Sequence, residues 1–150
     1  FFSLKELIKY NKKRAELLKD ENVYRNIKAN KQSQTAWINI LFGKYEEAKK
    51  NLQKLKKIQE KINDPTSMYE YFGLLGMAHL MEGNYEQAVK NFQNSNKTNI
   101  YYNYFKGLAL KASGKDKEAM QMFEELASFN FSSWDIAIIR NLAKKQLQKA

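Results

Sequence analysis

The chain of 150 residues carries one histidine, His79, and no cysteine. Glu82 follows His79 by three positions, close to one helical turn, which puts a carboxylate within reach of the imidazole. Acid–base or metal chemistry at that pair would need further ligands, and there is no second His or Cys to supply them. His79 therefore reads as a packing residue. Two carboxylate pairs, Glu46-Glu47 and Glu124-Glu125, are adjacent in sequence. Neighbours on a helix project about 100° apart, so neither pair can converge on one substrate atom. Solvated faces are the expectation for both. No glycine-rich phosphate loop and no nucleophile-elbow sequence occurs. The chain is expected not to be an enzyme, with no catalytic residue, no metal ligand and no cofactor.

Charge is the other possible source of function. The formal net charge is +10, and it is unevenly spread. Residues 1–66 hold 16 Lys+Arg against 8 Asp+Glu, whereas residues 67–150 hold 10 against 8. Lys50, Lys54, Lys57 and Lys61 follow one another at helical spacing opposite an apolar stripe. Such a basic stripe could lie along phosphates or an anionic membrane surface in a salt-sensitive way. Arginine occurs only at Arg14, Arg25 and Arg140. Specific nucleic-acid readers lean on arginine for bidentate contacts, so the composition favours a solvated lysine face.

The elements that must position these residues are helical. One proline and six glycines among 150 residues disfavour a loop-rich or sandwich fold. Hydrophobic residues at 43% and charged residues at 28% describe a globular chain, expected as one domain with a continuous core. No apolar run is long enough to cross a bilayer. The sequence opens Phe1-Phe2 without an initiator Met, which reads as a processed product or an excised piece of a longer chain. A soluble domain is expected. Its compartment stays open between cytoplasm and periplasm, since a targeting segment goes with whatever preceded Phe1.

Apolar periodicity predicts a helix over 1–20, with Phe1, Leu4, Leu7, Ile8, Ala15 and Leu18 on one face and Phe2, Tyr10 and Leu17 nearly opposite. The next helix runs from Val23 to about Phe42 and carries Ile27, Trp37, Ile38 and Leu41. A long helix follows to about Asn63, its stripe made of Tyr45, Ala48, Leu52, Leu55, Ile58 and Ile62. Asp64-Pro65 stops it and starts another helix at Thr66, with Ser67 and Glu70 as a capping box. Helices are then expected over 66–82, 84–97 with Asn84 as N-cap, 100–113 and 115–129. Ser132-Ser-Trp134-Asp135 opens a last one over 132–149, with Ile136, Ile139, Leu142, Ala143 and Leu147 buried and Arg140, Lys144, Lys145 and Lys149 outside.

One phrase recurs. Phe72-Gly-Leu-Leu75-Gly76-Met-Ala-His79 leads to Gly83-Asn-Tyr85-Glu-Gln-Ala88 and Phe92. Phe105-Lys-Gly107-Leu-Ala-Leu110 leads to Gly114-Lys-Asp116-Lys-Glu-Ala119 and Phe123. Gly43-Lys-Tyr45-Glu-Glu-Ala48 is a third version of the turn, and the turn glycines lie 40 and 31 residues apart. This resembles the tetratricopeptide repeat family, whose unit is a helical hairpin. The resemblance implies an all-α, right-handed superhelical stack of about three hairpins, over 23–63, 66–97 and 100–129, between an N-terminal helix and a capping helix. His79 stands where the family usually packs Tyr. Lys106 stands where it favours Leu, Asp116 where it favours an aromatic, and the closing prolines are missing. The segment from Tyr101 to Arg140 is also similar to the closing part of bacterial tetratricopeptide proteins of unassigned role, which implies a C-terminal end.

The resemblance further implies that the first helix of each hairpin lines a concave groove. The positions that would line it are Ser33, Gln34, Trp37 and Leu41; Glu70, Gly73, Met77 and Met81; and Tyr101, Tyr104, Leu108 and Lys111. Trp, Tyr and Met make adaptable contact surface, and they also make core. The places that hold a carboxylate clamp in some members carry Ser33, Trp37, Leu74, Tyr101 and Phe105, so a chaperone tail is not an expected partner. The expected function is non-catalytic binding of a protein or peptide, as a scaffold or adaptor module. Two alternatives stay open: electrostatic binding of nucleic acid or anionic lipid by the basic N-terminal half, and service as accessory domain of an enzyme whose catalytic part lies elsewhere.

Overall fold

A computed structural model describes residues 4–18, 21–62, 64–130 and 133–148. Among them there are eight helices and no strand: α1 (Leu4–Leu18), α2 (Glu21–Leu41), α3 (Tyr45–Gln59), α4 (Tyr69–Met81), α5 (Tyr85–Gln93), α6 (Ile100–Ala112), α7 (Asp116–Ser128) and α8 (Trp134–Leu147). Within each compact unit, helices adjacent in sequence pack antiparallel. None is long and apolar enough to cross a membrane among the described residues. The chain divides into two compact units, Phe1–Tyr71 and Phe72–Ala150.

The three glycine turns are built alike. Gly43, Gly83 and Gly114 adopt φ of 70°, 80° and 78°, a region that side chains with a Cβ resist. In each, the glycine N–H donates to the carbonyl three residues back: Ile40, Leu80 and Lys111, all at 3.1 Å. The next N–H reaches five back, from Lys44 to Asn39, Asn84 to His79 and Lys115 to Leu110, at 2.8, 2.8 and 2.9 Å. These paired bonds form a Schellman closure, which satisfies carbonyls that a helix end leaves over. Ala48, Ala88 and Ala119, five residues after each glycine, are fully buried.

Within the first unit α2 packs on both α1 and α3. The α2 residues that go inside are Ala29, Ser33, Ala36 and Ile40. The larger Trp37, Ile38 and Leu41 stay partly or largely exposed. Small side chains let α2 approach α3 closely, and bulk at those positions would hold the helices apart. On α3 the stripe of Ala48, Leu52 and Leu55 is buried as its spacing predicts. The second apolar face expected on α1 is not covered, for Tyr10 and Leu17 are exposed. The expected side chains of Phe1, Phe2, Leu4, Leu7, Ala15 and Leu18 lie outside the described residues.

In the second unit, Gly73, Leu74, Gly76, Met77 and Ala78 of α4 are buried. Gly76 of α4 lies under the Phe92 ring of α5, where an added Cβ would come within 2.8 Å of the ring. Gly107 of α6 lies under Phe123 of α7, where the same atom would come within 2.6 Å. Each hairpin thus fits a large ring into the notch left by a missing side chain. In the first hairpin the corresponding places, seven residues before the turn glycine and nine after it, hold Ala36 and Leu52, both buried. A second notch, at Gly73, receives Tyr102, which joins α4 to α6. α8 packs mainly on α7 and also touches α6.

Several helix ends differ from their sequence expectation. α3 stops at Gln59 rather than near Asn63, and α4 starts at Tyr69 rather than Thr66. Between them the Asp64 carboxylate accepts from the backbone N–H and the hydroxyl of Thr66, at 2.7 and 2.8 Å. That closed turn, with Pro65 inside it, competes with helical hydrogen bonding on both sides. Asn84 stands at the N-cap of α5 but its side chain makes no cap bond, donating instead to Glu82 at 3.4 Å. α5 ends at Gln93, short of Lys97, because the connection 94–99 is a second turn of the same kind, with Asn96 accepting from Thr98. Asn99 then caps α6, its Oδ1 accepting from the N–H groups of Tyr101 and Tyr102 at 3.0 and 3.2 Å. Ser133 holds the N-cap of α8 without a side-chain bond, and Ser132 lies outside the described residues.

Candidate functional site

The residues singled out for chemistry hold local structural roles. His79 Nδ1 lies 3.6 Å from Glu82 Oε2, one turn on, and both side chains are largely covered. Glu82 also accepts the Asn84 bond, so the three side chains brace the α4–α5 turn. Among the described residues no group of His, Asp and Glu is placed to hold a metal ion. Glu46 pairs with Lys49 at 3.2 Å and Glu125 accepts from Gln121 at 3.4 Å, each on its own exposed helix face. The two carboxylate pairs are solvated, as the helical projection predicts.

Lys50, Lys54, Lys57 and Lys61 are all exposed, and none has an ion-pair partner among the described residues. The first three lie on α3, and Lys61 follows in the turn beyond its end. Their neighbour Lys56 behaves differently, pairing with Glu60 at 3.7 Å and lying 5.9 Å from the centre of the Tyr71 ring.

The residues expected to line a groove divide by burial. In the first unit Gln34 and Leu41 are exposed, Trp37 is half-buried, and Ser33 is buried with its hydroxyl donating to the Asn30 carbonyl. Leu41 is 60% exposed and adjoins Phe42 at 76%, so the end of α2 presents a small apolar patch with Ile38. Glu70, in the first turn of α4, is exposed.

In the second unit Met81 is exposed, and Tyr101, Leu108 and Lys111 are half-buried. Three members of the set offer no surface. Met77 is completely buried, Gly73 is roofed by Tyr102, and Tyr104 is 7% exposed. Tyr104 stacks edge-on against Phe105 at 5.8 Å and lies 5.9 Å from Phe123. Its large ring fills volume beside the Phe123 notch, and that makes it core rather than contact surface.

Two surfaces were not anticipated. A cleft of about 430 Å³ opens across α5, α6 and α7, with Phe92, Met122, Leu126 and Phe129 as its apolar part and Lys97 and Lys106 beside them. No pattern along the sequence marked it, because its lining comes from separate elements. The other surface lies on α8, where Trp134 is 76% exposed and Ile138 half exposed. A capping helix with a polar outer face was expected. Ile139 and Ala143 define its buried side, and Trp134 and Ile138 project roughly 140° away from them. Arg140 is not turned outward either: its Nη1 donates to the Phe129 carbonyl at 3.3 Å, at the C-cap of α7. A cation there also opposes the negative end of that helix. Lys144 and Lys145 are exposed, and Lys149 lies outside the described residues.

Comparison with known proteins returned no family model, no curated protein and no solved structure that matches this chain.

Proposed function

We propose that the chain is a tetratricopeptide-like module that binds a protein or peptide without catalysing a reaction. In this reading the hairpins α2–α3, α4–α5 and α6–α7 stack as a right-handed superhelix, with first helices toward a common concave face. The observation that carries the reading is the threefold identity of the turns: one glycine conformation, one hydrogen-bond pair and one buried alanine after each. Repeated hairpins that differ in their outward side chains suit recognition of extended partners rather than a single reacting atom. Leu41, Met81, Tyr101 and Leu108 retain exposed apolar surface and would act as contacts, with Glu70 and Lys111 at polar positions.

Selection from a displayed random peptide library tests this. Selected peptides should bind with little loss between roughly 0.1 and 0.5 M salt, whereas contacts to several phosphates weaken on the order of a thousandfold. Tyr101→Ala combined with Leu108→Ala should weaken them at least about tenfold without loss of helicity. Failure to select any salt-resistant peptide refutes the proposal.

A second reading rests on the unpaired lysines of α3. In it Lys50, Lys54, Lys57 and Lys61 lie along nucleic-acid phosphates or an anionic membrane. Binding to duplex DNA or to phosphatidylserine vesicles that fails steeply with salt, and fails in Lys54→Glu with Lys57→Glu, would establish it.

A further inference from the structure

The cleft on the second unit has a composition that specifies its ligand more closely than the exposed residues of the first helices do. Its floor is Phe92 and Leu126, both almost fully buried, and its walls include the half-buried Met122 and the partly exposed Phe129. About 430 Å³ lies within the range of small-ligand sites and admits one large side chain with its adjoining backbone. Met122 is unbranched and can adapt its shape to what enters.

Charge decides the rest. Lys106 is half-buried on α6, and its ammonium has no hydrogen-bond or ion-pair partner among the described residues; neither has the ammonium of Lys97 at the rim. Glu125, the one acidic residue lining the cleft, is not within ion-pair distance of either lysine and accepts from Gln121 instead. A lysine whose stem lies along apolar surface and whose ammonium has no ion-pair partner favours an incoming carboxylate. The rim is also held in place: Asn103 donates from Nδ2 to the Lys97 carbonyl at 2.8 Å, and Asn96 closes the turn around Lys97 by its bonds to Thr98. A pre-ordered rim reduces the entropic cost of binding.

We infer that this cleft docks an acidic peptide segment, with a Leu or Phe side chain seated against Met122 and Phe129 and a neighbouring carboxylate paired with Lys106 and Lys97. A second copy of this chain is a poor occupant, since each copy carries a formal charge of +10. Nucleic acid is disfavoured because Lys97 and Lys106 stand beside Met122 and Phe129 as two cations with Glu125 among them, not as a continuous basic track. The inference deepens the peptide-binding reading by giving partner chemistry and a place outside the first-helix contacts.

The test uses the full chain, ¹⁵N-labelled, and an end-blocked fluorescein peptide of sequence Glu-Glu-Leu-Phe-Glu-Glu. Saturable binding is expected, with amide shifts centred on Lys97, Asn103, Lys106, Met122 and Phe129. Lys106→Glu should weaken it at least about tenfold, and Lys106→Gln by a smaller factor. Lys54→Glu with Lys57→Glu should change it less than about twofold, and a peptide with Lys in place of every Glu should not bind. Equal losses from the α3 variant, no effect of Lys106→Glu, or equally tight Lys106-dependent binding of single-stranded DNA would each overturn the inference. Library peptides that depend on Tyr101 and Leu108 while the acidic peptide fails to bind would remove this inference and leave the broader reading standing.

Discussion

Adding a single methyl group at Gly107 tests whether the notch under Phe123 shapes the third hairpin. The new Cβ would lie 2.6 Å from Phe123 Cε1, 3.0 Å from Cζ and 3.2 Å from Cδ1. Carbon atoms in contact prefer roughly 3.5–4.0 Å, so the ring must retreat by about 1 Å. It has little room: Phe123 is fully buried, and the Tyr104 ring lies 5.9 Å away, centre to centre. Overpacking of this kind costs about 1–3 kcal/mol. Ala gains back about 0.5–1 kcal/mol over Gly in a helix interior. Gly107→Ala is therefore expected to be destabilised by about 1–2 kcal/mol. Phe123→Leu alone should lose about 1–2 kcal/mol through lost burial and a residual cavity. The first hairpin carries Ala36 and Leu52 at the equivalent places, both buried. The double variant should accordingly recover stability, with a favourable coupling of about 1–2 kcal/mol. Urea unfolding followed by circular dichroism at the helical band measures all four proteins. Strict additivity, or a Gly107→Ala protein as stable as the parent, would refute the notch as a packing constraint.

Tyr104→Ala should lose about 3–5 kcal/mol in the same urea assay, because it empties a core ring position; a small loss would return Tyr104 to the contact surface. Gly43→Ala and Gly114→Ala should each cost about 1 kcal/mol, since an added Cβ meets nothing within 4 Å and only the backbone conformation resists. Asn99→Ala should cost about 1 kcal/mol and raise amide exchange at Tyr101 and Tyr102, whose N–H groups it leaves uncapped. The bonds from the Thr66 backbone, and then from its hydroxyl, hold the Asp64 carboxyl below its ordinary pKa. Its stabilising contribution is thus present above the unfolded pKa and fades as pH falls through the folded one. A carboxyl NMR titration should find Asp64 low, moving upward in Thr66→Val.

What this chain decided locally was legible in its residues. Gly43, Gly83 and Gly114 could be placed as turns because φ near +70° to +80° costs little only without a Cβ. Ala48, Ala88 and Ala119 could be placed inside because they follow those turns by a fixed helical offset. The adjacent carboxylates Glu46-Glu47 and Glu124-Glu125 could be placed on exposed faces because neighbours on a helix project apart. Helix ends were less legible, since Asp64 and Asn96 accept from Thr66 and Thr98 in closed turns that compete with the helix on nearly equal terms.

Burial on the outward faces required the tertiary structure. Periodicity marks an apolar face but does not say which arc meets a neighbour, and so Ser33 was read as groove surface together with Trp37 and Leu41 when it packs inside α2 with Ala29 and Ala36. Tyr104 and Met77 were read as surface because the helices that enclose them come from separate stretches of sequence. The cleft beside Lys106 had the same obstacle. Its lining joins α5, α6 and α7 with the turn at Lys97, and only folding brings those lysines and that apolar floor together.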